Sequence, residues 1–151
     1  MARVAAALLS TLALGANPQE HGVSDGFLKV QLPSGWSSAI GPGVVAAKPA
    51  AYMLVAEFRL RSDAAMHEAP PAVPAGKVLI SLGDCPVQTR SRDWPRVTRL
   101  RLPSAGTNQE IIWHVRYARR AISVTVWFGS RPTAHDRRAV DHVLSRVTRV
   151  K

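Results

Sequence analysis

Apolar and polar residues alternate along much of the chain after residue 26, and this alternation predicts β-strands. Strands are predicted over residues 27–32, 44–47, 52–61, 77–82 and 97–102. In residues 52–61, the residues predicted to face the core are Tyr52, Leu54, Ala56, Phe58 and Leu60. In residues 97–102, Leu100 and Leu102 take that orientation. The chain is therefore expected to be rich in half-buried strands.

The clearest element is a β-hairpin formed by residues 111–117 and 122–128. If its centre lies between Arg119 and Arg120, eight apolar residues fall on one face. They are Ile111, Trp113, Val115, Tyr117, Ile122, Val124, Val126 and Phe128. Arginine is disfavoured at the positive-φ positions of a type I′ turn, so a four-residue loop is expected. That loop would pair Tyr117 with Ile122.

One amphipathic helix is predicted after Gly129. Thr133 can cap it, and Asp136 follows at the spacing of a capping box. One apolar stripe is formed by Val140, Val143, Leu144 and Val147. There are too few elements for repeated β-α-β units. The predicted class is therefore α+β, with an antiparallel β-sheet of about six strands and one C-terminal amphipathic helix packed on one face.

Residues 1–16 have the pattern of an export signal, because Arg3 precedes an apolar run from Val4 to Leu14 and small residues follow. The run is shorter than the roughly 18 residues of a membrane span, which disfavours a retained anchor. We therefore divide the chain into residues 1–16, a signal peptide or short N-terminal apolar segment, and residues 17–151, a single α+β domain. The predicted location is secreted or in the cell envelope.

The composition is that of a globular protein with an uneven charge. The 151 residues are 46 % hydrophobic and 20 % charged, which excludes disorder, collagen and coiled coil for the whole chain. The net charge is +10: residues 1–76 hold five basic and five acidic side chains, and residues 77–151 hold 15 and five. Arginine accounts for 16 of the 20 basic residues, and its guanidinium suits phosphate and carboxylate. The excess indicates either an anion-binding surface or a compositional bias toward arginine.

Familiar catalytic signatures are missing from the sequence, including those of serine hydrolases, zinc proteases and phosphate-binding loops. Cys85 is the lone cysteine, with Asp84 and Pro86 beside it and no histidine near it in sequence. A neighbouring carboxylate disfavours a thiolate, so Cys85 is interpreted as a small, half-buried hydrophobic residue. The prediction is a protein that is not an enzyme, with no catalytic residues, no metal site and no cofactor.

The second face of the hairpin is the main candidate binding surface. There, Ile112, His114, Arg116 and Trp127 combine aromatic rings with positive charge, which could hold a ligand by stacking and charge. The alternative is that another layer covers this face and makes Trp127 and Ile112 part of a secondary core. Two further candidate binding residues, Arg99 and Arg101, are predicted to point to solvent from residues 97–102.

Three passages resemble small exported PsbP-like domains. Residues 27–36, FLKVQLPSGW, resemble the opening strand and the P-x-G-W corner of that family. The hairpin of residues 111–128 and the closing helix up to residues 147–150 resemble its last two strands and terminal helix. Similar small exported domains of unassigned function are found in high-GC Gram-positive bacteria. Residues 62–103 depart from the family pattern, with a proline-rich loop and strands in place of a helix. The resemblance implies an antiparallel sheet with helix cover and an exported, non-catalytic role, and no metal-binding or photosynthetic residue carries over.

The sequence thus favours an exported, non-catalytic binding or accessory domain of the cell envelope. The alternative is a basic polyanion-binding protein that uses the arginine-rich second half to bind nucleic acid or an anionic surface. The expected partner is an anionic surface or an envelope component, with no metal and no obligate nucleic acid.

Overall fold

The computed structural model describes residues 20–45, 48–60, 72–85, 93–104 and 109–151, so the predicted N-terminal segment 1–16 lies outside the described residues. The described residues form nine strands and one helix. These are β1 (His21–Ser24), β2 (Leu28–Leu32), β3 (Ser37–Val45), β4 (Lys48–Ala56), β5 (Val78–Asp84), β6 (Arg96–Val97), β7 (Glu110–Tyr117), β8 (Arg120–Phe128), α1 (Ala134–Leu144) and β9 (Val147–Arg149). Within these ranges no helix is both long enough and apolar enough to cross a membrane.

The strands form two sheets. One has the order β1-β2-β9, and the other has the order β3-β4-β5-β8-β7-β6. All neighbours pair antiparallel except β6, which runs parallel to β7. The α+β class with a single C-terminal helix is confirmed for the described part of the chain. A six-stranded sheet is present as expected, but it is mixed and not purely antiparallel, and a second sheet forms because the chain returns after α1 as β9 and pairs with β2.

One large hydrophobic cluster lies between these elements. Leu28, Val30 and Leu32 of β2 are buried in it, as the alternation predicted. Val143 and Leu144 of α1 are fully buried in the same cluster. Burial of each such side chain stabilises the fold by about 1.5–3 kcal/mol, so this cluster is the main source of cohesion between the two sheets and the helix.

The helix begins as its sequence predicted. The Thr133 hydroxyl accepts a hydrogen bond from the Asp136 N–H, and the Asp136 carboxylate accepts from the Thr133 N–H at 2.7 Å, which completes a capping box. The helix ends at Leu144, earlier than the apolar stripe suggested. Val147, the last member of that stripe, is buried but belongs to β9.

The hairpin has a tighter turn than expected. Ala118 and Arg119 form a two-residue turn with φ values of 49° and 70°, and Tyr117 pairs with Arg120. The expected four-residue loop and the pairing of Tyr117 with Ile122 were therefore wrong by two residues. A shift of two leaves every side chain on its original face, so the predicted apolar face is confirmed. Eight cross-strand pairs outweigh the turn strain of about 1–2 kcal/mol per left-handed residue.

Two other strand predictions change in detail. Strand β4 ends at Ala56 and is buried on both faces, since Met53 and Val55 join the main cluster while Leu54 and Ala56 join a second, smaller one. The predicted strand 97–102 is mostly irregular, with only Arg96–Val97 in β6. The alternation predicted that Leu54 and Ala56 face the main core, but Met53 and Val55 do so instead, because β4 lies between two apolar clusters.

Candidate functional site

We call the side of the six-stranded sheet opposite the main cluster the outer face. Ile112, His114 and Arg116 of β7 and Trp127 of β8 all lie on it, because they alternate with the buried residues of the same strands. Ile112 is 56 % exposed, whereas the other three are partly buried. The four candidate residues therefore share a face but differ in their surroundings.

Trp127 lies at the end of the outer face that carries the second apolar cluster. It packs against Leu54, Ala56 and Leu79, and its indole Nε1 donates a 2.6 Å hydrogen bond to Glu110 Oε1. Trp127 pairs with Glu110 and His114 pairs with Ser123, so the two rings are four residues apart in register. At about 3.3 Å per residue this is roughly 13 Å along the strands. Trp127 therefore packs as the secondary-core alternative expects, whereas Ile112, the other residue of that alternative, is exposed.

His114 belongs to a different cluster, which sequence reasoning missed. Its ring stacks on Trp94 with 4.9 Å between centroids, and its Nδ1 lies 3.6 Å from Sγ of Cys85. Cys85 follows β5 directly and is 7 % exposed. Cys85 and His114 are 29 positions apart in the sequence, which hides this contact, and only the pairing of β5 and β7 with β8 reveals it. Low exposure fits the interpretation of Cys85 as a small buried side chain.

Three arginines converge at the β6 edge of the large sheet. Parallel pairing sets Arg96 opposite Arg116, and the backbone N–H of Arg116 donates to the carbonyl of Pro95 at 3.0 Å. With Arg119 of the hairpin turn, they line a cleft of about 300 Å³, which we call the arginine cleft. None of the three forms an ion pair within the described residues. Guanidinium forks in this arrangement can each donate two hydrogen bonds to an oxyanion.

Arg99 and Arg101 lie outside that cleft, on a neighbouring concave surface. Together with Arg138 of α1 they line a groove of about 610 Å³, which we call the arginine groove. His142 and Asp141 also line it, and Asp141 Oδ1 accepts a 2.9 Å hydrogen bond from the N–H of Leu102. Three arginines against one aspartate leave an excess of two positive charges, with histidine counted as neutral. The predicted binding residues thus divide between two basic sites.

Two other arginines of the basic half are already neutralised. Arg120 donates to Asp84 at 2.8 Å, and its guanidinium carbon lies 4.4 Å from the Phe27 ring centroid. This ion pair lies at a separate cavity of about 410 Å³. Arg146 bonds to Glu20 and lowers the pKa of that carboxyl. The contrast with the arginine cleft is that these two side chains have carboxylate partners of their own.

The chain matches no family model, no curated protein and no solved structure. Among the described residues, no group of three or more His, Cys, Asp or Glu side chains is arranged to hold a metal ion.

Proposed function

We propose that this chain is an exported, non-catalytic binding or accessory domain of the cell envelope, and that it binds an anionic envelope component through the arginine cleft. The observation that carries the proposal is the convergence of Arg96, Arg116 and Arg119 on one cleft without a carboxylate partner in the described part of the chain. Export is supported by the apolar pattern of residues 1–16.

Electrostatics explains why such a cleft favours an anion. The three arginines that line the cleft carry like charges, which repel one another, and an anion bound in the cleft would offset that repulsion. Arg96 and Arg119 are exposed and Arg116 is partly buried, so a ligand can reach all three from solvent. Solvent also screens these charges, so the attraction should weaken as salt is added.

The fold also supports a fixed geometry for the neighbouring arginine groove, which Arg138 lines. We infer that α1 is amphipathic and covers one face of the core, because Val143 and Leu144 are buried while Arg138 and His142 are exposed. Arg138 would then be held at the surface by the helix that carries it. The PsbP-like resemblance agrees with a sheet covered by a helix and remains a prediction.

Nucleic-acid binding is the second candidate, favoured by the 15 basic residues among residues 77–151. Stacking aromatic rings usually accompany the arginines of such surfaces. Trp94 is near in sequence, but its ring stacks on His114. An export signal would also separate the protein from cytoplasmic nucleic acid. We therefore favour the envelope component.

Retention on a heparin column tests the cleft. The cleft variant carries Arg96→Ser, Arg116→Ser and Arg119→Ser. A charge control that loses the same three positive charges elsewhere carries Arg59→Ser, Arg149→Ser and Lys151→Ser, all exposed in the folded chain. The cleft variant should elute at clearly lower salt than the charge control. Equal elution of the two variants would mean that net charge alone governs retention, and the cleft would have no role.

Mass spectrometry of the mature protein tests export. Protein recovered from the medium or the envelope should have lost the residues before the cleavage site, close to Ala16. Intact Met1 or Ala2 on protein recovered from the cytosol would contradict export and would restore the nucleic-acid alternative.

A further inference from the structure

The arginine cleft and the arginine groove are built on the same stretch of chain. Arg96 and Val97 line the cleft, and Arg99 and Arg101 line the groove. The Cα atoms of Arg96 and Arg99 are at most about 11 Å apart, since three residues of extended chain span no more. Two positively charged sites are therefore immediate neighbours.

The shared stretch is held in place at several points. The Pro95 carbonyl accepts from Arg116, Leu100 is buried in the main cluster, and the Leu102 N–H donates to Asp141. Because the backbone is fixed by these contacts, little order has to be gained when a ligand binds. The exposed arginine side chains of this stretch are therefore attached to a backbone that is already held in place by the fold.

From this arrangement we infer that the cleft and the groove together bind one linear polymer of phosphate groups. The inference rests on the proposed function and specifies its ligand. A compact anion can neutralise one site only, whereas a chain of phosphates can run from the cleft along residues 96–101 to the groove. Binding at the first site raises the effective concentration of the chain at the second, so affinity rises without any new contact.

Phosphate fits these sites better than carboxylate. The oxygens of a phosphate group point in several directions and can accept from more than one guanidinium, while the two oxygens of a carboxylate lie in one plane. Arg96, Arg116 and Arg119 all line the cleft. A tetrahedral group uses that arrangement more fully than a planar one.

Inorganic polyphosphate is a suitable probe, titrated calorimetrically beside tripolyphosphate and polyglutamate. Wild-type protein should bind two tripolyphosphates weakly and one long polyphosphate chain at least about a hundredfold more tightly. Polyglutamate of similar charge should bind more weakly than the long polyphosphate.

Variants separate the two sites. The groove variant carries Arg99→Ser, Arg101→Ser and Arg138→Ser, and is compared with the cleft variant and the charge control defined above. The groove and cleft variants should each bind one tripolyphosphate and lose the higher affinity for the long polyphosphate chain. The charge control should keep two sites and most of that advantage.

Failure of this inference differs from failure of the proposed function. If the groove variant keeps wild-type affinity for the long chain, the cleft acts alone and the polymer assignment is wrong. If polyglutamate binds as tightly as polyphosphate, the phosphate assignment is wrong. If wild-type protein binds none of the three probes, the proposed anion-binding function itself is wrong.

Discussion

The hydroxyl of Tyr117 donates a 2.9 Å hydrogen bond to the backbone carbonyl of Val147. Tyr117 ends β7 in the six-stranded sheet, and Val147 begins β9 in the three-stranded sheet. Both residues are buried, and burial raises the pKa of Tyr117. This bond is a direct polar link between the two sheets, and it requires the neutral hydroxyl.

Tyr117→Phe should lower the free energy of unfolding by about 1–2 kcal/mol, because the substitution leaves the Val147 carbonyl without its partner. Urea denaturation measures the change. Tyr52→Phe is the matched control, since the Tyr52 hydroxyl makes no hydrogen bond within the described residues, and it should cost much less. Equal losses for the two variants would show that the link between the sheets contributes nothing.

Removal of a buried helix side chain should be far more costly than removal of an exposed one. Leu144 is fully buried in the main cluster, so Leu144→Ala should cost about 2–5 kcal/mol through the cavity it creates. Arg138 is exposed on the same helix, and Arg138→Ala should change stability by less than about 0.5 kcal/mol. Similar denaturation midpoints for both variants would contradict the packing of α1 against the core.

The buried face of the hairpin could be predicted from the sequence, but the register of its strands could not. In the hairpin, a shift of two residues moves Val115 from Val124 to Ile122 and keeps both side chains on the buried face. Hydrophobic alternation is blind to such a shift. Residues 97–102 show a similar limit. Leu100 is buried and Arg101 is exposed, as the alternation predicts, although most of the segment is not a strand.

Contacts between residues that are far apart in the sequence could not be predicted from it. Cys85 meets His114, and Arg96 lies opposite Arg116, only because of how the strands are ordered within the six-stranded sheet. The arginine content suggested an anion surface, but it did not separate the ion-paired Arg120 from Arg119 beside it, which has no ion pair within the described residues. That separation depends on the turn and on the position of Asp84 at the end of β5.

The contribution of Glu57 to the free energy of unfolding should decrease as the pH rises, which is opposite to the behaviour of a typical carboxylate. Burial raises its pKa, with opposing contributions from Lys77, which lowers it, and Asp136, which raises it further. The folded state therefore holds the proton more tightly than the unfolded chain. The stability that this tighter proton binding contributes is fully present below the pKa of Glu57 in the unfolded chain and is lost as the pH rises through its pKa in the folded state.

Glu57→Gln should consequently raise stability at about pH 7, and the gain should shrink toward zero as the pH falls to about 4 or below. Urea melts across this range measure the difference from wild type. Asp93→Asn serves as a control, because it makes the corresponding change from acid to amide at an exposed position. A gain that grows as the pH falls would contradict the sign of this argument.

The hairpin turn should be more stable with residues suited to it, and one of the substitutions should weaken binding. Ala118 and Arg119 both have positive φ, where Asn and Gly are the favoured residues of a type I′ turn. Ala118→Asn and Arg119→Gly should each raise the free energy of unfolding by up to about 1 kcal/mol. Only Arg119→Gly should weaken polyphosphate binding, because Arg119 contributes a guanidinium to the arginine cleft and Ala118 contributes no charge. Thermal melts and calorimetric titration of the two variants measure both quantities. A loss of stability in Arg119→Gly would contradict the argument from turn strain. Unchanged binding would show that Arg119 does not contribute to anion binding in the arginine cleft.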